Sequence, residues 1–245
     1  MKPIHFFITT LVAMALFFTP GISGAWGDPP KKVAFIVVLD DSGAYDKRMA
    51  KRADRNKLKF LQQFADLKKR KKTRNAVIDI ISSSTGSTEL VTQPKSMGLN
   101  WKQIEAVMKG KPERCNNLAR TFTTLDSSIR QYEDEQYNEI YVYIFSSLID
   151  VPAPCDQVTN LVLPQKPPLI DINNDGKTDL GSILTRSPKV RTIIFYGVKA
   201  EQYYPWIDVL KPKDWIKRNA SNVFRMKKFN QTELALEEGL HIRRN

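Results

Sequence analysis

The stretch that most constrains this chain is Val33 to Asp46, VAFIVVLDDSGAYD. Val33 to Leu39 is an unbroken apolar run, the pattern of a strand buried on both faces rather than of one with a solvated side. The run stops at Asp40-Asp41-Ser42-Gly43-Ala44. Carboxylates and a hydroxyl just past the carboxyl end of a buried parallel strand lie at the edge where α/β sheets hold ligands.

The elements that follow alternate. Arg48 to about Lys71 predicts a helix, with an apolar stripe from Leu58 onward and its cations gathered at the C-terminal end, where the helix dipole favours them. Asn75 to Ile81 predicts a second strand, and Thr88 to Thr92 a short edge strand antiparallel to it. Asn100 to Met108 predicts a short helix, and Asn116 to Glu135 a segment helical in its second half. Glu139 to Phe145, EIYVYIF, and Val190 to Val198 predict two further buried strands. A long loop carrying five prolines between Pro152 and Pro168 separates them. Tyr203 to Asn219 predicts a helix broken near Pro212, Asn222 to Phe229 a last, polar strand, and Asn230 to Leu240 a helix opened by a capping box. This order implies a doubly wound α/β domain, with a mostly parallel central sheet and helices on both faces. No internal repeat and no second-domain boundary is evident.

Residues 1–25 read differently. A basic start at Lys2, an apolar run from Phe6 to Phe18, a break at Thr19-Pro20-Gly21 and small residues at Ser23 and Ala25 predict a secretory signal peptide. The run is shorter than the roughly 18–20 residues of a spanning helix. A linker over 26–32 then leads into a domain over 33–245. Export to the periplasm or the extracellular space allows Cys115 and Cys155 to form one disulfide, with two unpaired thiols as the alternative. The net charge of +12, concentrated in Lys47 to Lys59 and Lys68 to Arg74, suits anionic partners such as nucleic acid, acidic lipid, polysaccharide or acidic protein. A solvated helix face is the plainer reading, and no aromatics interleave the run as single-strand nucleic-acid platforms require.

Three segments together resemble the von Willebrand factor type A domain. Asp40-Asp41-Ser42-Gly43-Ala44 is similar to its D-x-S-x-S loop, with Ala44 in place of the last serine. Thr123, in TFTTLDSSI, has Leu125, Ser128 and Ile129 spaced as in the family's threonine helix, with Thr121 and Thr124 as rival placements. IYVYIFSSLID is similar to the family's fourth strand, but Ser147 stands where an aspartate is expected. The resemblance runs from Val33 to about Leu240. It implies a non-enzymatic protein-binding module with a degenerate metal-ion-dependent adhesion site built from Asp40, Ser42, Thr123, Ser147 and Asp150. Mg²⁺ or Mn²⁺ is the implied ion, since such a cation takes hard oxygen ligands and keeps an open position. Asp41 or Asp150 is the implied substitute for the missing aspartate. A disulfide between Cys115 and Cys155 would then pin two loops on the ligand side of the sheet. In the plainer reading, Asp40 and Ser42 only cap the following helix.

Asp171-Ile-Asn173-Asn-Asp175-Gly176-Lys177-Thr-Asp179 is an independent cation candidate. Oxygen side chains at positions 1, 3, 5 and 9, with Gly at 6, match Ca²⁺ loops, and this one resembles those of EF-hand-like, dockerin and integrin-propeller type. Ser182 at position 12 is not the bidentate Glu of an EF-hand, so the expected role of Ca²⁺ is to order the proline-rich loop. A solvated acidic turn is the alternative.

Of two histidines, His5 lies in the predicted signal peptide and His241 near the C-terminus, which leaves no Ser-His-Asp arrangement in the expected core, and GxGxxG is absent. Trp206, Trp215, Tyr203 and Tyr204 fall at helical spacing, which favours core over binding surface. The competing functions are a metal-dependent hydrolase or nuclease on Asp40, Asp41 and Asp150, and a basic protein binding nucleic acid or envelope polymers as part of a secretion or conjugation apparatus.

Overall fold

A computed structural model describes residues 31–40, 76–83, 87–92, 115–151, 166–172 and 174–228, together with 55, 57–60, 62 and 63. The chain divides into Met1–Pro30 and Lys31–Asn245, and the description concerns the second unit. The predicted signal peptide, Asp41 to Ala44, the basic run 68–74, the helices over 100–108 and 230–240, Cys155 and Asn173 lie outside the described residues.

The protein is an α/β fold on a six-stranded sheet. The strands are β1 (Val33–Leu39), β2 (Val77–Ser82), β3 (Ser87–Thr92), β4 (Glu139–Phe145), β5 (Val190–Val198) and β6 (Val223–Lys228). They lie in the order β3-β2-β1-β4-β5-β6. Only β3 is antiparallel, paired to β2; the other pairings are parallel. The all-apolar β1 sits between β2 and β4, with Val37 beside Ile80 and Tyr143, and every residue of it is buried.

Both faces of the sheet are covered, which is why the central strands carry no polar alternation. On one face Ala34, Ile36 and Val38 join Val142, Ile144, Ile193 and Phe195 in a core. It is closed by α1 (Leu118–Asp134), α2 (Leu180–Thr185) and α3 (Tyr203–Leu210) through Leu118, Phe122, Leu125, Ile129, Leu180, Ile183 and Trp206. On the other face Phe35 stacks on Tyr141 at 5.3 Å, and the buried helical residue Phe60 packs on Tyr143 at 4.8 Å and Phe145 at 4.9 Å. α2 and α3 approach closely at Gly181, where a Cβ would meet the Val209 carbonyl oxygen at 2.8 Å.

The described elements follow the predicted order, with two differences. α1 is helical from Leu118, not only in its second half. The Asn117 side chain accepts the Arg120 amide at 3.0 Å, and the Asp150 carboxylate, from a loop 32 residues on, accepts the Leu118 amide at 2.9 Å. Tertiary capping thus completes a first turn whose polar sequence reads as loop. The predicted break near Pro212 falls at Lys211, which takes a left-handed φ of 45° between α3 and α4 (Pro212–Arg218). Trp206 and Trp215 are core, whereas Tyr204 is 68% exposed. Among the described residues, no helix is long and apolar enough to cross a membrane.

Candidate functional site

The carboxyl ends of β1 and β4 and the N-terminus of α1 meet on one rim of the sheet, and Asp40 joins them. Its amide donates to the Phe145 carbonyl at 2.7 Å, continuing the β1–β4 ladder by one residue. The residue is 1% exposed. One oxygen, Oδ2, accepts from Ser146 Oγ at 3.1 Å, the Ser147 amide at 3.1 Å, Ser147 Oγ at 3.3 Å and Asn116 Nδ2 at 3.3 Å. Lys57, itself buried, donates its ammonium to the Asp40 carbonyl.

The serines are held in turn. Ser146 Oγ accepts the Leu148 amide at 3.0 Å, and Ser147 Oγ accepts the Ile149 amide at 3.3 Å. Leu148 takes a left-handed φ of 60°, a conformation costly for a branched residue. Its carbonyl accepts Trp206 Nε1 at 3.1 Å, which anchors the turn to α3. Asn116 pairs with Val151 through two backbone bonds of 2.9 and 2.8 Å, and its Nδ2 also donates to the Ile149 carbonyl at 2.7 Å. Asn116 Oδ1 and Ser83 Oγ are buried without a hydrogen-bond partner. Cys115, next to Asn116, is disulfide-bonded, and the chain holds one other cysteine, Cys155.

Of the residues assigned to the adhesion-type site, Asp40 and Ser147 are in direct contact. Asp150 reaches the same rim through the Leu118 amide; burial raises its pKa above the usual carboxylate value, opposed by that bond. Thr123 is placed differently. It is exposed on α1 and donates to the Ala119 carbonyl at 2.9 Å, within its own helix. Thr121 is buried, its hydroxyl within reach of the Asn117 and Ser83 carbonyls at 2.7 and 3.4 Å. The later loop meets Asp40 through Asn116, two residues ahead of α1, which starts at Leu118 and not in the second half of its segment. Sequence reasoning missed Asn116, Ser146 and Lys57; the Asn116-Asn117 pair ahead of an apolar stripe is the signal that marks the helix start. Ser42 lies outside the described residues.

The rim residues fit a hard dication poorly. Among the described residues Asp40 is the one carboxylate that contacts both serines, and its Oδ2 already faces four donors. Each serine oxygen accepts a backbone amide while donating to Asp40, so one of its two lone pairs and its proton are engaged. Among the described residues, no group of three or more His, Cys, Asp or Glu side chains is placed to hold a metal ion.

In the candidate calcium loop the acidic side chains turn to backbone amides. Asp171 accepts from Asp175 and Gly176 at 3.0 and 2.8 Å, Asp175 from Lys177 at 2.9 Å, and Asp179 from Ile172 at 2.8 Å. Gly176 takes a φ of 74°, as the sixth position of such a turn requires. Asp175 and Lys177 are exposed, and Asp171 and Asp179 half-buried.

No family model and no curated protein matches the chain. Among solved structures, the chain is similar to the pilus adhesin SpaC from Lactobacillus rhamnosus GG, with a TM-score of 0.50 and 10% identity over 83% of this chain and 29% of that one. It is also similar to the PilB minor pilin from Streptococcus sanguinis (TM-score 0.46, 13% identity, 83% of this chain and 59% of that one). A third likeness is to proximal thread matrix protein 1 from the mussel byssus (TM-score 0.46, 12% identity, 82% and 45%). The chain therefore spans between 29% and 59% of the length of these proteins. At such identity the likeness to SpaC is one of fold alone.

Proposed function

We propose that this protein is an exported, non-enzymatic binding module of von Willebrand A type, which docks a protein partner on the rim formed by the ends of β1 and β4 and the start of α1. The observation that carries the reading is the junction at Asp40, which sets three chain segments into one fixed edge of a parallel sheet, the usual place for ligands in such folds. The predicted signal peptide supports export, and a neighbour at a TM-score of 0.50 bears the name of a pilus adhesin.

A hydrolase on the same residues is the weaker reading. Asp40 is sealed from solvent, Asp150 spends an oxygen on the Leu118 amide, and no described histidine stands ready as a base.

A photo-crosslinking side chain placed at the exposed Thr123, in the second turn of α1, tests the proposal against the same group at the exposed Gln131 near the helix's other end. Saturable adducts with one surface protein of the source cell from Thr123, and none from Gln131, are expected. Equal labelling from both positions, or turnover of a phosphodiester or peptide substrate that disappears in Asp40→Asn, would refute it.

A further inference from the structure

We infer that the Asp40 rim is a metal-independent lock, in which Lys57 supplies the positive charge and Asn116 the polar contact that a divalent cation would otherwise provide. Lys57, a residue 4% exposed, sets its ammonium on the Asp40 backbone carbonyl, a like charge opposing any dication held by the same residue's carboxylate. Asn116, fully buried, directs its amide protons at Asp40 Oδ2 and the Ile149 carbonyl. Both are pure acceptors here, so the NH₂ group must face them and Oδ1 must face away. That leaves Asn116 Oδ1 the orphaned acceptor of the pair, turned from the carboxylate it would have to join in a shared coordination sphere. Ser146 and Ser147 complete the replacement. Each hydroxyl donates to Asp40 and accepts an amide of the strained turn at Leu148, which closes a ring of hydrogen bonds without an ion.

Buried charges persist when paired or fully hydrogen-bonded, and this junction provides such partners on three chain segments. The inference deepens the proposed function and rests on it only for its consequence: capture of a partner at this rim needs no bridging metal, and a chelator leaves it intact.

The test is Mn²⁺ binding by the full chain, read by calorimetry and by thermal unfolding, in the native protein, Asp40→Asn and Lys57→Met. Asp40→Asn keeps a carbonyl acceptor and removes the anionic ligand. The native protein and Asp40→Asn are expected to bind Mn²⁺ identically, including any ion taken elsewhere, such as at 171–179. Lys57→Met is expected to lower Tm by roughly 4–10 °C, the loss of one buried charge-assisted hydrogen bond in a chain of this size. Mn²⁺ binding tighter than about 1 mM that vanishes in Asp40→Asn overturns the inference, whether or not Lys57→Met folds. Mn²⁺ failing at Asp40 while Thr123 also yields no adduct would sink the docking function and leave the lock standing.

Discussion

Asp79 provides the sharpest test of how the sheet is packed. It lies in β2, in register with Ile36 of β1 and Val91 of β3, and is 3% exposed beneath α1. Tyr132 donates to its carboxylate, while Oδ1 has no partner. Burial, with Glu135 adding repulsion and the Tyr132 bond opposing, pushes its pKa from 3.8 up to about 6. The same burial and the neighbouring carboxylate hold Tyr132 and Tyr137 above the ordinary phenol value, so neither titrates in the range of interest. Because the folded-state pKa exceeds the unfolded one, the folded protein keeps the proton that the unfolded chain releases between about pH 4 and 6. Stability therefore falls as pH rises through this window, and the full penalty is present above it. At 1.36 kcal/mol per unit, the penalty is about 3 kcal/mol at neutral pH. Asp79→Asn removes the titration and leaves a pH-independent offset from its unmatched amide protons. Urea unfolding of both proteins at pH 4.0, 5.0, 6.0 and 7.5 measures the difference, in which every other titrating group cancels. Because about 0.6 kcal/mol of the penalty is already present at pH 4.0, the variant is expected to gain about 2.4 kcal/mol on the native protein between the first and last pH. A difference that stays flat within about 0.5 kcal/mol, the usual additivity error, would refute a buried ionising carboxylate at this position.

Three further outcomes follow from the packing. Gly181→Ala drives a methyl group into the Val209 carbonyl at 2.8 Å and should cost about 1–3 kcal/mol by denaturant unfolding; an unchanged midpoint would show that α2 and α3 do not pack backbone to backbone. Phe60→Ala empties the centre of the aromatic cluster with Tyr143 and Phe145 and should cost about 3–5 kcal/mol, measured in the same way. Asp150→Ala removes the acceptor for the Leu118 amide and should cost about 1 kcal/mol, with faster hydrogen exchange confined to the first turn of α1; exchange unchanged at Leu118 would deny the cap.

The sequence alone carried the order of the elements, because burial writes itself into local pattern. Strands covered on both faces are built almost wholly of apolar and aromatic residues, as Val33–Leu39 and the buried part of Glu139–Phe145 are, and an amphipathic stripe such as Leu125, Ile129 and Tyr132 can face only one sheet. It also brought Asp40 to a sheet edge, since a polar break after a buried strand has nowhere else to go. The tertiary structure decided what meets Asp40 there. Asn116 and Ser146 lie 76 and 106 residues away, and Lys57 on a separate helix, so no local spacing links them. The start of α1 was hidden in part for the same reason: the Asn117 cap is local, but the Leu118 amide is closed by Asp150, beyond the next strand, and a distant carboxylate leaves no signature in the residues it closes. Patterns of hydrophobicity are summed over many residues and survive in one dimension. A hydrogen-bonded junction depends on a few atoms arriving within about 3 Å of one another, and only the folded chain sets that distance.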